Sequence, residues 1–465
     1  MNSEKSKSDP TLPLESWNPF LTLGALEPLN PQTLEPFSKA SSLYIHIPFC
    51  VKKCAYCDFF SVPYDESSAL AYTDALCREL YLKSDSAAEL KTVYIGGGTP
   101  SLLPDTCFGH LFSCLKDNFQ ISPDAEITVE ANPGTLNQSR VNLLLSLGVN
   151  RMSLGVQSFN DDELKFLGRI HTADDAMRSL GILRNSGLHN YSIDLMYGIP
   201  GQSINSWRES ISKAVECSPK HISTYELTLE EGTPLYTLVK LRTNEQFSYR
   251  VAKGQAFHSG LSEIFLRENR FPSSGNDNTK TFVYSHSKAE LQHLVPITMP
   301  DEDIILEMYH YAIDYLARHG YKQYEISNFA EPGFQCLHNT NYWDRGVYFG
   351  AGAGAHSFLN GMRSNNVKNI SDYMACLNSG LMPETELSNI SLEEALKEFL
   401  FLGLRKTNGI HINKAERLGM DIISAGKELL AEGFLEITGD SLRLTRKGIV
   451  LSNSVIVRLF ENLHL

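Results

Sequence analysis

The chain has 465 residues, 42% hydrophobic and 20% charged, with a formal net charge of −13. This is ordinary soluble composition, long enough for roughly two or three domains, and its acidity argues against a general nucleic-acid binder. No apolar run approaches the roughly 18 residues of a membrane span, and the polar start, Met1 to Pro10, lacks a signal-peptide core, so a cytoplasmic protein with reduced thiols is expected.

Residues 1–40 carry Pro10, Pro13, Pro19, Pro28, Pro31 and Pro36 with little periodicity and read as an irregular extension. From Ser42, short β-like runs alternate with amphipathic helical stretches. Strands are predicted at Leu43–Ile47, Thr92–Ile95, Glu126–Glu130, Arg151–Val156, Tyr191–Met196 and His221–Tyr225. Helices are predicted among them at 70–82, 139–147, 161–167, 173–186 and 204–217. The pattern predicts an α/β fold, a partial (β/α)6 TIM-like barrel over residues 41–240, rather than a closed eight-stranded one.

Residues 241–299 change texture and read as an insertion, with a loop at 271–278. Its His258, His286 and His293 are read first as surface residues. The pattern resumes over 300–385 with a helix from Asp301 to Arg318, then Tyr321–Ile326 and a Gly/aromatic stretch from Cys336 to Phe358. Residues 386–465 hold short helices and a hairpin-like pair, 434–438 and 441–445, around Gly439-Asp440. They suggest a smaller C-terminal winged-helix-like α/β domain. Glu393, Glu394, Glu398, Glu428 and Glu432 favour a structural or lid role for it over DNA binding.

Nine cysteines are present, and six are scattered without shared spacing. Cys50, Cys54 and Cys57 form C-x3-C-x2-C directly after the first strand. The other strand ends carry Gly96-Gly97-Gly98-Thr99-Pro100, Glu130-Ala131-Asn132-Pro133, Gly155-Val156-Gln157-Ser158, Asp194 to Pro200, and Tyr225-Glu226. Barrel active sites gather at that rim. Three thiolates in one loop suit a [4Fe-4S] cluster with one iron open to a ligand. The competing reading, structural zinc, needs a fourth protein ligand, for which His46 is the nearby candidate.

The loop resembles the radical S-adenosylmethionine (SAM) superfamily. With Tyr44-Ile45-His46-Ile47-Pro48-Phe49-Cys50 the resemblance extends to the oxygen-independent coproporphyrinogen III oxidase group, especially its heme chaperone branch. It covers about residues 42–240 and 300–460. It implies that Cys50, Cys54 and Cys57 ligate the cluster, and that the open iron takes SAM, which the cluster cleaves to a 5′-deoxyadenosyl radical. It also implies that Tyr44, Tyr56, Gly97, Gly98, Thr99, Glu130, Gln157, Arg169 and Asp194 line SAM.

Two features favour the chaperone branch. The oxidase has another cysteine two residues after the third, where this chain has Asp58-Phe59. His338-Asn339-Thr340-Asn341-Tyr342-Trp343 fits H-N-x-x-Y-W, a heme-associated motif, so heme contact is expected at His338, Asn339, Tyr342 and Trp343. His356 and Cys336 compete as axial ligands. The resemblance thus implies heme as cargo and a heme-acceptor protein as partner. It allows a homodimer and peripheral membrane association through the acceptor, and implies no nucleic acid. The rivals are the oxidative decarboxylase and a radical SAM enzyme with another substrate, such as a methyltransferase.

Overall fold

The computed structural model describes residues 39–242 and 299–465. The extension and nearly all of the 241–299 insertion, with its three histidines, lie outside the described residues.

Six parallel strands form the frame: β1 (Ala40–Ile47), β2 (Ala87–Gly97), β3 (Ile121–Ala131), β4 (Arg151–Gln157), β5 (Tyr191–Tyr197) and β6 (His221–Glu226). Each predicted strand lies within one of them. The sheet has nine strands, because three more join its ends. β7 (Lys322–Gln323) and β8 (Asn328–Ala330) add antiparallel beyond β6, and β9 (Phe349–Ala351) adds parallel beyond β1. No pairing closes the described strands into a barrel.

Crossover helices cover the outside: α1 (Glu66–Lys83), α2 (Asp105–Asn118), α3 (Gln138–Leu147), α4 (Asp161–Phe166), α5 (Ala173–Asn185) and α6 (Ile204–Glu216). Their starts are chemically marked. Asp65 accepts from the Ser68 amide, Thr172 and Asp175 form a reciprocal capping box, and Ser203 accepts from the Ser206 amide. Covered on both faces, β4 is buried up to Val156 and mostly apolar, with Arg151 and Ser153 as its buried polar members.

Next come α7 (Pro234–Arg242) and α8 (Glu302–Arg318). The short helix α9 (Leu337–Trp343) then inserts against β2, its first turn capped by a carboxylate from β3: Glu126 accepts from the Leu337 and His338 amides at 2.9 and 3.1 Å. A three-stranded sheet follows, β10 (His356–Leu359), β11 (Met362–Asn366) and β12 (Glu384–Asn389), with α10 (Ile370–Asn378) between the last two.

The C-terminal unit has its own apolar core. It begins with α11 (Leu392–Arg405) and contains the predicted hairpin, at Leu435–Thr438 and Ser441–Leu444, within a three-stranded sheet. Among the described residues, no helix is long and apolar enough to cross a membrane.

Candidate functional site

The cysteine loop leaves β1 and is held by backbone bonds at both ends. The Val62 amide donates to Pro48 O at 2.7 Å and the Tyr64 amide to Cys50 O at 2.8 Å. In its middle, the Ala55 amide donates to Leu167 O, and the Ala55 carbonyl accepts from the Leu235 amide. Ala55 and Tyr56 pack on a small apolar cluster that includes Leu167, Met196 and Leu235. The two bonds at its ends form a two-residue parallel ladder, Phe49–Cys50 on Val62–Pro63, and the Ala55 bonds tether the middle, which has none.

The glycine run after β2 lies directly on this loop. Gly98 donates to Ile47 O and Thr99 to Phe49 O, each at 2.8 Å. A Cβ on Gly97 (φ 112°) would meet the His46 ring at 2.5 Å, and one on Gly98 would meet Phe49 O at 2.7 Å. Glycine is therefore needed here for the approach of the chain to itself. His46 is already engaged, with Nδ1 on the Tyr44 hydroxyl at 3.0 Å and Nε2 on Phe60 O at 2.9 Å. That removes the candidate fourth ligand of the zinc reading.

All three cysteines are free thiols, partly exposed. Burial pushes the Cys57 thiol up to about 12 and raises that of Cys50. Iron must therefore displace protons to bind them. Among the described residues no three His, Cys, Asp or Glu side chains converge as ligands of one ion. A cubane cluster sets one thiolate on each of three irons, so it does not require that convergence.

A hydrogen-bonded chain runs from the loop across the strand ends. Cys50 Sγ lies 3.6 Å from Thr99 Oγ1, and Asn132 Nδ2 donates to that Thr99 oxygen at 2.8 Å. Arg169 donates from Nη2 to Asn132 Oδ1 at 2.6 Å and to Gly155 O at 2.7 Å, and from Nη1 to Cys54 Sγ at 3.5 Å. Its buried Nε has no hydrogen-bond partner among the described residues and stays available to an anionic ligand. Cys54, Thr99, Asn132 and Arg169 share one open cleft with Val51, Lys52 and Ile170. Gln157, at φ 67°, ends β4 beside Asn132 and Arg169. The sequence placed Asn132 at a strand end but gave it no role.

A second chain lies deeper. Glu130 accepts from the Tyr94 hydroxyl at 2.7 Å and the Gly97 amide at 3.1 Å. Surrounding protein desolvates its carboxyl and pushes the pKa up to about 7. Asp194 accepts from Ser153 and Ser192, and burial raises its pKa as well. Tyr44 stacks on Tyr94 at 6.3 Å, and desolvation holds its hydroxyl protonated. Tyr56 lies against Arg169, with its pKa likewise raised by burial.

The motif helix behaves differently from a surface ligand. His338 is buried inside the sheet, its Nδ1 on Thr92 Oγ1 at 2.8 Å and its Nε2 on the Tyr342 hydroxyl at 2.9 Å. Burial pushes its pKa down to about 3. Tyr342 is half-buried between His338 and Tyr348. Trp343 packs on the C-terminal core. Asn339 is half-buried. Cys336 is fully buried, its thiol directed at Glu126. His356 is exposed, at the start of β10.

A radical SAM superfamily model matches residues 44–214, and a HemN C-terminal domain model matches 390–451. The chain is 32% identical over 422 residues to the heme chaperone HemW of Bacillus subtilis, covering 89% of this chain and 97% of that one. This chain belongs to the HemW family of the radical SAM superfamily. HemW of Escherichia coli is 32% identical over 431 residues, again 89% of this chain and 97% of that one. The structure of coproporphyrinogen III oxidase (HemN) from Escherichia coli superposes with a TM-score of 0.69 at 19% identity, covering 94% of this chain and 93% of that one, which shows a shared fold. Radical SAM membership implies a [4Fe-4S] cluster and SAM. The donor set agrees: three thiols on one tethered loop, and a guanidinium with a spare buried N–H beside them.

Proposed function

We propose that this protein is a heme chaperone that holds heme and passes it to an acceptor protein, on a scaffold carrying a [4Fe-4S] cluster and SAM. The observation that carries this is near end-to-end similarity to heme chaperones, 97% of the Bacillus subtilis protein being covered. On this reading Cys50, Cys54 and Cys57 ligate the cluster. Thr99, Gln157 and Arg169 face the polar end of SAM, with Glu130 and Asp194 beneath, and Tyr44, Tyr56, Gly97 and Gly98 shape the walls. When bound, the reduced cluster supplies one-electron chemistry to SAM.

Residues 41–240 then form the cluster and SAM unit, 300–385 bring in the heme-associated segment, and 386–465 brace it as a winged-helix-like domain. We place the protein in the cytoplasm. We retain heme contact at α9, through Asn339 and the exposed neighbour Leu337 first. His338, Tyr342 and Trp343 reach heme only if α9 loosens from Thr92 and the C-terminal core.

The experiment is heme addition to the anaerobically reconstituted protein, followed by Soret absorbance. A stoichiometric Soret shift is expected, altered in Leu337→Ala/Asn339→Ala, and altered in His338→Ala/Trp343→Ala only where α9 opens to heme. No shift in the wild type would sink the reading. Conversion of coproporphyrinogen III to protoporphyrinogen by the same preparation would replace it with the oxidase.

A further inference from the structure

The guanidinium of Arg169 does more than wait for an anion. Three of its N–H groups are committed within the protein, one of them to the sulfur of Cys54 at 3.5 Å. Asn132 fixes the direction of that bond. Its Oδ1 takes Nη2 at 2.6 Å, while its own amide is anchored on Thr99 Oγ1, which lies 3.6 Å from Cys50 Sγ. Gly155 O takes Nη2 as well, at 2.7 Å. A fixed cation therefore donates to one of the three thiolates expected to hold the cluster.

One-electron reduction adds one negative charge to the cluster and its sulfurs, and no proton need move. An N–H donor and a positive charge beside a ligating sulfur stabilise that more negative state, and hydrogen bonds to sulfur are a principal control on cluster potentials. The guanidinium fork is what lets one side chain serve Asn132, Gly155 O and Cys54 together, which a lysine cannot do.

We propose that Arg169 raises the reduction potential of the cluster through Cys54, and that Asn132 is the positioning residue that aims it. This rests on the cluster assignment above but not on heme. The test is potentiometry with dithionite as the electron source, read by electron paramagnetic resonance, on full-length reconstituted protein without SAM or heme. Arg169→Gln is expected to shift the midpoint to more negative values, and Arg169→Lys to shift it by less, because the charge stays and the fork is lost. Asn132→Ala is expected to move it in the same direction as Arg169→Gln.

Midpoints unchanged in Asn132→Ala and Arg169→Lys, with iron content and spectra equal to wild type, overturn the inference. Because those two variants retain a cation beside the loop, they decide the matter even if Arg169→Gln does not take up a cluster. A wild-type protein that binds no iron–sulfur cluster overturns the cluster assignment itself.

Discussion

The ring of Tyr94 lies nearly parallel to that of His338, centroids 5.1 Å apart at 25°, while the Tyr94 hydroxyl donates to Glu130. The H-N-x-x-Y-W helix and Glu130 at the end of β3 are thus joined by one aromatic side chain. The imidazole is part of a packed layer with Tyr44, Tyr94 and Tyr342.

His338→Ala should therefore behave as a core mutation. It deletes stacked and edge contacts worth about 0.5–1.5 kcal/mol per pair and orphans Thr92 and Tyr342 at about 1–3 kcal/mol. A loss of a few kcal/mol in urea unfolding is expected, with Asn339→Ala close to wild type. Equal stability of the two would show that the buried arrangement does not persist in solution.

Glu130, at the end of β3, is pH-dependent. Its folded pKa of about 7 lies above the ordinary 4.5, because desolvation outweighs the bonds from Tyr94 and Gly97. A raised pKa means the folded state binds the proton more tightly. The stabilisation is fully present below pH 4.5 and is lost as pH rises through 7. Its ceiling is on the order of 3 kcal/mol. The fixed positive charge of the SAM sulfonium prefers the ionised carboxyl, so SAM should bind roughly tenfold tighter at pH 8 than at pH 6. Calorimetry checks this, and Glu130→Gln should flatten the profile.

What was legible in the sequence follows from locality. The six parallel strands showed as short β-rich runs alternating with amphipathic helical stretches, and the rim residues followed from the strand ends. β9 was not legible, since Phe349-Gly350-Ala351 has neither length nor branching and is a strand only because β1 pairs with it through Leu43 and Phe349. The role of Asn132 was hidden for the same reason, since its partners Thr99 and Arg169 are 33 and 37 residues away. The H-N-x-x-Y-W pattern suggested heme contact at His338, Asn339, Tyr342 and Trp343 without saying which way the side chains point. The packing turns His338 inward, because Thr92 and Tyr342 satisfy both ring nitrogens there.

Glu79 is another long-range device. Buried on α1, it accepts from the Gly352 amide at 2.8 Å, Asn366 at 2.6 Å and Tyr373 at 2.6 Å, and pairs with Lys83 at 2.8 Å. These bonds hold the Gly352 turn against His46 O, which also accepts from Tyr72. Glu79→Ala removes the acceptor of three buried donors and leaves the Lys83 ammonium with Gly350 O and Glu384, so a loss of about 2–4 kcal/mol is expected in denaturant unfolding. Lys83→Met should cost clearly less, because the other donors still satisfy the carboxylate. Equal costs would assign the whole effect to the ion pair.

The C-terminal unit grips the residues that end α9. Trp343 packs into its core, Asp344 pairs with Lys406, and Arg345 Nε meets Glu398 Oε2 at 2.8 Å. Arg363 Nη2 lies 3.0 Å from the other Glu398 oxygen, off-axis for a hydrogen bond, and both arginines sit over the Phe358 ring. Glu398 is 3% exposed, so its charge is shielded little by solvent. Glu398→Ala removes the buried carboxylate from both arginines and should cost about 3–5 kcal/mol, with Glu398→Gln intermediate. Because the latch holds α9, its loss should also raise amide exchange across 337–345 beyond the change elsewhere in the C-terminal unit. Hydrogen–deuterium exchange decides the point: uniform loosening of the unit, with α9 unchanged, would leave Glu398 as a stabilising pair with no hold on the motif helix.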